Sequence, residues 1–401
     1  MRDTWSFFPS GKIIFGNGAI HKLGELLTSM KAQHIFLITD KGIEQSGMLS
    51  LVLSILEKGN FNVKVFDATI PEPPISVVLE CYEYAKSQIN ADVIIGLGGG
   101  SSIDLAKVVA LLVAHGGRPQ DYFGENAIPS PIAPLIAIPT TAGTGSEVTS
   151  VAVVTDTDNN IKVGISNNYL RPAVALLDPE LTLQLPPYVT ACSGIDALAH
   201  AIEAYLAKDF KYIQAEGEIL FQGSAPISDT LALQAIELIS KNLITAVQQG
   251  TNLEARSNML LGSLLAGLAF SNAGTAAAHA LAYPIGGIAK SPHGEVTGLL
   301  LPYVIDFNAR TMEDKIRRLS QALLIPASSH QSSVDATQAV VAHIMDMLQQ
   351  IGLPTRLSSI GITKEQLPEI AEKALKIDRL IRNNPRTATL NGFIELLEKA
   401  Y

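Results

Sequence analysis

Short continuous apolar runs alternate with helix-length segments over the first 180 or so positions of the chain. HIFLITD (34–40), FNVKVFD (61–67), ADVIIGLGGG (91–100) and PLIAIPT (134–140) are rich in β-branched residues and bounded by Gly, Pro or Asp. Runs of this kind predict parallel strands covered by helices on both faces. A proline-rich turn, LLDPELTLQLPP (176–187), closes the region, and beyond it the apolar spacing changes to a 3.6-residue period. SDTLALQAIELISKNLITAVQQG has Ser228 and Asp229 as capping candidates and Gly250 as a stop, and helical patterns continue to Tyr401. The expectation is an α/β domain with a parallel sheet over 1–182, followed by an all-helical domain over 183–401. FKYIQAEGEILFQGSAP (210–226) breaks the helical pattern and reads as a surface excursion; its LFQG resembles a protease-recognition sequence, so it carries no functional weight here.

Composition adds limits to this picture. A chain of 401 residues exceeds what one core usually fills, in keeping with two domains. With 29 basic against 38 acidic residues and no Lys/Arg block, nothing offers a footprint for a phosphate backbone, so nucleic acid is not an expected partner. Cys81 and Cys192 lie far apart and form no CxxC pair, which fits a reducing, cytoplasmic setting. The opening MRDTWSFFPSGKIIFG lacks the basic-then-apolar layout of a signal peptide. Between Arg256 and Lys290 there is no Asp, Glu, Lys or Arg, yet Ser263, Ser271, Asn272, Gly274, Thr275, His279 and Pro284 interrupt the stretch. A lipid-facing helix would hardly carry these together, so the stretch reads as protein interior and no membrane partner is expected.

Three segments of the first half carry candidate chemistry. IIGLGGGSSIDLAKVVA (94–110) runs from a strand through three glycines into a helix, with Ser101 or Ser102 available to cap it. Backbone N–H groups and the helix N-terminus there suit a pyrophosphate, although a tight strand-to-helix turn has the same appearance and the spacing is not GxGxxG. Asp40 ends a strand where a carboxylate accepts from a ribose 2′-OH and repels the 2′-phosphate of NADP, which favours NAD; a turn or N-cap aspartate is the alternative. IPTTAGTGSEVTSVAVVTD (138–156) gathers Thr140, Thr141, Thr144, Ser146 and Thr149 around two glycines, a loop suited to sugar or phosphate hydroxyls or simply a hydrogen-bonded turn.

In the second half, DALAHAIEAY (196–205) places Asp196 and His200 four apart, on one face of any helix. That spacing serves a chelate or an ordinary salt link equally. Of the eight histidines only His200, His279 and His293 lie in the Gly- and Ala-rich second-half setting, with His293 in a Pro-His-Gly turn. One Asp and three His form a borderline ligand set suited to Fe(II) or Zn(II).

GGGSSID, PTTAGTGSEVT, DALAHAIEAY and AAAHALAYPIGGIAKSPHG occur in the order found in the iron-dependent, or group III, alcohol dehydrogenases, and the chain resembles that family over nearly its whole length. The resemblance implies a dinucleotide-binding α/β domain followed by an all-α metal-binding domain, a dehydroquinate synthase-like architecture. It implies that Asp196, His200, His279 and His293 bind the metal, Fe(II) with Zn(II) as the alternative. Gly98, Gly99, Ser101 and Ser102 are then expected to hold the pyrophosphate of NAD(H), Thr140, Thr141, Thr144 and Thr149 to line the nucleotide site, and Asp40 to select NAD; Lys162 is counted with this cofactor set. Where a well-known version of the pattern has a further histidine four positions after the third ligand, this chain has Tyr283. Tyrosine has an ordinary pKa of about 10, so Tyr283 relays protons beside His279 only if metal or cofactor lowers it.

The expected reaction is reversible hydride transfer between the nicotinamide and a small neutral primary alcohol or aldehyde, with the alcohol oxygen on the divalent metal. Phe270 and Tyr283 are candidates for an apolar wall, with core packing the alternative for Phe270. The competing readings are a reductase of a charged, maleylacetate-like substrate, a dehydroquinate synthase-like lyase, and a non-catalytic protein using the fold for assembly. The uncharged 257–289 stretch weighs against the lyase, the ligand set against a metal-independent reductase, and the retention of all four ligand candidates against a non-catalytic protein. The resemblance further implies a homodimer or larger assembly, with KIIFG as a possible contact strand.

Overall fold

The computed structural model describes residues 1–157, 161–214, 219–326 and 332–401. It divides into two compact units, Phe8–Gln184 and a second made of Met1–Phe7 with Leu185–Tyr401. The first seven residues thus pack with the helical part of the chain. Trp5 meets Phe210 edge to face at 6.5 Å, and Ser6 N–H donates to Gln222 Oε1 at 2.8 Å.

The first unit runs β1 (Lys12–Phe15), α1 (Leu23–Ser29), β2 (His34–Asp40), α2 (Lys41–Gln45), α3 (Met48–Lys58), β3 (Asn62–Thr69), α4 (Ile75–Gln88), β4 (Val93–Gly98), α5 (Gly100–His115), β5 (Gly124–Glu125), β6 (Leu135–Pro139), β7 (Val151–Asp156), β8 (Ile161–Ser166) and β9 (Val174–Leu177). Six strands pair in parallel in the order β1-β9-β6-β4-β2-β3, while β5, β8 and β7 form a small mixed sheet. The apolar runs are central strands for the reason their composition gives: VIIGLG and LIAIP are buried at every residue. Leu23, Leu27, Val52 and Leu56 cover one face of the large sheet, and Val78, Leu105, Val108 and Val109 cover the other. Counted from β2, the order is the doubly wound 2-1-3-4-5 with β1 added at the edge. Its switch point lies at the carboxyl ends of β2 and β4, where such folds bind ligands. Asp40 and Gly98 are the last residues of those two strands.

The second unit is helical: α6 (Pro187–Leu206), α7 (Pro226–Gln248), α8 (Leu253–Ala273), α9 (Ala277–Ala289), α10 (His293–Asn308), α11 (Glu313–Ala322), α12 (Ser333–Gln350), α13 (Leu367–Leu375), α14 (Asp378–Asn383) and α15 (Leu390–Ala400). Helix α7 begins at Pro226, ahead of the expected caps, because Ser228 bonds back to the backbone N–H and carbonyl of Ala225. The uncharged 257–289 stretch forms most of α8 and α9, which meet at a 102° bend. Among the described residues α7 alone has the length and composition to span a membrane as a single helix; it packs on α6 and α8 and buries Ala232, Ile236, Ile239 and Leu243.

The expectation of a surface excursion at 210–226 is corrected. Residues 215–218 lie outside the described set, as does His330, but Ile219, Leu220, Phe221, Gln222 and Ser224 are buried. Gln222 and Gly223 N–H donate to the carbonyls of Asn272 and Ala273 at 2.7 and 3.1 Å. The apolar Ile-Leu-Phe run, read as an interruption of helical period, is instead an extended piece of core that satisfies the C-terminal carbonyls of α8.

Candidate functional site

Helix α6 places Asp196, His200 and Glu203 at i, i+4 and i+7, so all three share one face, and all three are buried. His279 sits in the first turn of α9 and His293 is the first residue of α10, not part of a free turn. Asp196 Oδ1 lies 3.8 Å from His279 Nε2 and 4.0 Å from His293 Nε2. One ligand atom from each of Asp196, His279 and His293 falls within 4.8 Å of the others. His200 stands beside this trio: its Nδ1 is 3.8 Å from Asp196 Oδ2, its ring stacks on half-buried Phe270 at 4.2 Å, and the His279 ring is 4.5 Å away. The Tyr283 ring meets that of His293 edge-on at 6.1 Å.

Glu203 determines what His279 is able to do. Its Oε2 accepts from His279 Nδ1 at 2.6 Å and from Ala276 N–H at 2.9 Å, and its Oε1 accepts from Ala278 N–H at 2.6 Å. It therefore satisfies orphan donors of the first turn of α9 and fixes the ring tautomer in the same act. The proton held at Nδ1 leaves the Nε2 lone pair facing Asp196, and among the described residues this buried nitrogen has no hydrogen-bond partner. Burial opposes ionisation of Glu203, but His279 and the two backbone donors outweigh it and hold the carboxyl below its ordinary value. Burial likewise opposes the charge on Asp196, and His200, His293, His279 and the Thr297 hydroxyl, which donates to Oδ1 at 2.7 Å, bring that carboxyl below its ordinary value as well. An ionised carboxylate, oriented imidazoles and an orphaned nitrogen aimed at their common centre fit a divalent metal.

The close approach of α10 to α6 depends on Gly294. A Cβ there would lie 2.1 Å from the Cys192 carbonyl oxygen. Glu203 and Thr297 were missed in the sequence because the ligand set was built around the histidines and the one acid four positions before His200. The signal was present, since Glu203 lies within DALAHAIEAY at helical spacing from Asp196, and Thr297 follows His293 by four.

In the first unit Gly98 has φ +144°, and a Cβ there would lie 2.7 Å from Ser102 Oγ. Thr141 and Thr144 lie over the next two glycines, where a Cβ would come within 3.4 Å of Thr141 Cγ2 and 2.7 Å of Thr144 Cγ2. Thr140 N–H donates to the Gly98 carbonyl at 3.0 Å. Neither serine caps α5, whose N-cap is Gly99: Ser102 Oγ donates to Asp40 Oδ2 at 3.2 Å, and Ser101 Oγ accepts from Glu72 N–H at 3.1 Å. Asp40 also caps α2, accepting from Ile43 N–H at 3.1 Å. Lys162 pairs with Glu72, which brings it to the neighbourhood of Ser101. The helix N-terminus, left without a side-chain cap behind a glycine cradle that any Cβ would fill, fits a pyrophosphate.

Residues 9–179 match the family model described as iron-containing alcohol dehydrogenase, and residues 190–401 match the C-terminal model of the Fe-containing alcohol dehydrogenase family. The chain is 33% identical over 394 residues to the NAD-dependent methanol dehydrogenase of Bacillus methanolicus, covering 98% of this chain and 99% of the relative. It is 34% identical over 388 residues to the sulfoacetaldehyde reductase of Bilophila wadsworthia, covering 96% of each. A crystal structure of 1,3-propanediol oxidoreductase superposes with a TM-score of 0.92 at 33% identity, over 99% of this chain and 100% of that one. The chain therefore belongs to the iron-containing alcohol dehydrogenase family.

Proposed function

We propose that this enzyme interconverts a small neutral primary alcohol and its aldehyde, with NAD+ taking the hydride and a proton released in the oxidative direction. The observation that carries this reading is the buried group of Asp196, His279 and His293, in which Glu203 holds the His279 proton away from the common centre. With His200 beside them, these residues would hold Fe(II), or Zn(II) in its place. A divalent ion there supplies Lewis acidity toward an alcohol or carbonyl oxygen.

The chain's own residues supply position and surroundings. Thr297 and the histidines keep Asp196 ionised, and Glu203 keeps one His279 tautomer. Phe270, stacked on His200, gives the site an apolar side. Tyr283, whose ring meets that of His293 edge-on, would hold or pass a proton near the ligands when metal or cofactor favours its ionised form. Gly98, Gly99, Ser101, Ser102, Thr140, Thr141, Thr144, Thr149 and Lys162 form the proposed NAD(H) site, and Asp40 at the end of β2 favours NAD over NADP by repelling a 2′-phosphate. The absence of Asp, Glu, Lys and Arg from residues 257–289 favours a neutral substrate over an anionic one, a distinction that matters because a relative at 34% identity is named for sulfoacetaldehyde. A cytoplasmic setting and a homo-oligomer are part of the same reading.

The test is NADH consumption by protein loaded anaerobically with Fe(II), then with Zn(II), against short neutral aldehydes, hydroxyaldehydes and sulfoacetaldehyde. Chelator-sensitive turnover on the neutral aldehydes is expected. Turnover confined to the sulfonate would overturn the neutral-substrate reading.

A further inference from the structure

In the first unit, outside the metal centre, Asp104, Lys107, Glu147 and Arg171 meet around the threonine loop, with Lys107 and Glu147 buried. Asp104 and Lys107 are three apart on α5, so they share a face of the helix that begins at the glycine loop. Asp104 accepts from Ser146 Oγ through Oδ1 and from Val153 N–H through Oδ2 at 2.9 Å. Lys107 is 0% exposed, and its ammonium donates to the Thr149 carbonyl and hydroxyl, both at 3.0 Å, and to the Val151 carbonyl at 2.7 Å. Arg171 donates to the Val148 carbonyl at 2.9 Å. Residues 146–153 are thereby bound to the helix that carries the glycines.

The contact with the Thr149 hydroxyl has a chemical consequence. An ammonium only donates, so Thr149 Oγ1 is the acceptor in that bond and its own hydrogen is left to be given elsewhere. Thr149 is 3% exposed, and among the described residues no acceptor for that hydrogen is found. A nearly buried hydroxyl whose oxygen is already taken as an acceptor is left to act as a donor, which suits recognition of an acceptor oxygen.

We propose that Lys107 is a positioning residue for the dinucleotide: by occupying Thr149 as an acceptor, it makes that hydroxyl a dedicated donor to an oxygen of bound NAD(H) and locks the threonine loop to the glycine loop. This rests on the reading of these two loops as the cofactor site. Burial lowers the lysine to about 8 against the pull of Asp104 and Glu147, so the ammonium is the dominant form at neutral pH. Among the described residues the hydrogen bonds of Lys107 all go to Thr149 and Val151 of the threonine loop, so in a folded variant its loss should fall on cofactor affinity.

The experiment is a fluorescence titration of the metal-loaded full chain with NADH, together with steady-state kinetics, for wild type, Lys107→Met, Thr149→Val and Thr149→Ser. Lys107→Met and Thr149→Val are expected to raise the NADH dissociation constant and KM at least tenfold. Metal content and the aldehyde KM should stay within about twofold of wild type, and Thr149→Ser should retain tight binding. The double variant Lys107→Met/Thr149→Val should bind NADH no more weakly than the weaker single variant. NADH affinity within twofold of wild type in a folded Lys107→Met overturns the proposal. If Lys107→Met does not fold, unchanged affinity in Thr149→Val overturns it, because that variant keeps the two carbonyl contacts. Failure of the wild-type chain itself to bind NADH would instead overturn the cofactor-site reading beneath it.

Discussion

Replacing Glu203 by Gln tests whether this carboxylate governs the metal site through His279. The two oxygens accept three hydrogen bonds, from His279 Nδ1 and Ala276 N–H at one and from Ala278 N–H at the other. A glutamine has one oxygen to offer. Turned toward His279, it leaves its amide facing the Ala278 N–H, which loses a charge-assisted bond and sets two donors against each other at a cost of about 1.5–3 kcal/mol. Turned the other way, it obliges His279 to accept at Nδ1 and move its proton to Nε2, the atom that faces Asp196. Either arrangement weakens the chelate, and loss of such an outer partner ordinarily costs 10–100-fold in metal affinity, about 1.4–2.7 kcal/mol. The assay is competition for Fe(II) or Zn(II) with a chelator of known affinity, at a pH where both proteins are folded, with NADH binding as a control for the other unit. Metal affinity in Glu203→Gln within twofold of wild type would refute the assignment of Glu203 as the group that orients His279.

Three other substitutions probe the same framework. Thr297→Val removes the 2.7 Å hydroxyl donor to Asp196 and is expected to weaken metal binding roughly tenfold in the same competition; an unchanged constant would show that this bond is idle. Gly294→Ala would set a Cβ 2.1 Å from the Cys192 carbonyl, against backbone that cannot yield, so a loss of about 3 kcal/mol in urea unfolding and a fall in bound metal are expected, while wild-type values for both would refute the packing argument. Glu147 is raised by burial to about 7, against its own backbone N–H and Lys107, which lower it. The folded chain therefore holds this proton more tightly than the unfolded one, and the associated stability is complete below about 4.5 and lost as pH rises through 7. Glu147→Gln should gain on wild type by up to roughly 3 kcal/mol between pH 5 and pH 8, and a difference in urea midpoints that does not change with pH would contradict it.

The two-unit plan was readable because the apolar period changes where the architecture changes. HIFLITD, VIIGLG and LIAIP form central strands buried along nearly their whole length and carry no polar alternation, whereas the second half repeats at helical spacing. The short pieces were less legible. Strand β9, VALL, is only four residues and runs into the proline-rich turn, and β7 follows the threonine loop without a break. The 210–226 segment was misjudged because its period is not helical, although its apolar Ile219, Leu220 and Phe221 carried the information that it is core. In the site, ligand-type residues stood out against their apolar neighbours, but the partners that orient them did not. Glu203 and Thr297 are ordinary polar residues in sequence, and their roles arise only when the start of α9 and the first turn of α10 meet the α6 face. The capping role offered to Ser101 and Ser102 fails for a related reason, since Asp40 at the end of β2 and the Glu72 N–H in the loop after β3 reach them from afar in sequence. Lys107, which nothing in the sequence singles out, is fully buried by the fold.

The most direct test of the central claim is the metal content of purified, Fe(II)-loaded wild type and His279→Ala, with NADH binding measured on the same samples. His279 is the ligand whose free nitrogen is buried and held in one tautomer by Glu203. Its removal is predicted to take bound metal from about one ion per chain to near none while leaving the NADH affinity intact. Metal retained at the wild-type level in His279→Ala would contradict the assigned centre, and loss of metal and NADH binding together would contradict the separation of metal site and cofactor site on which the account rests.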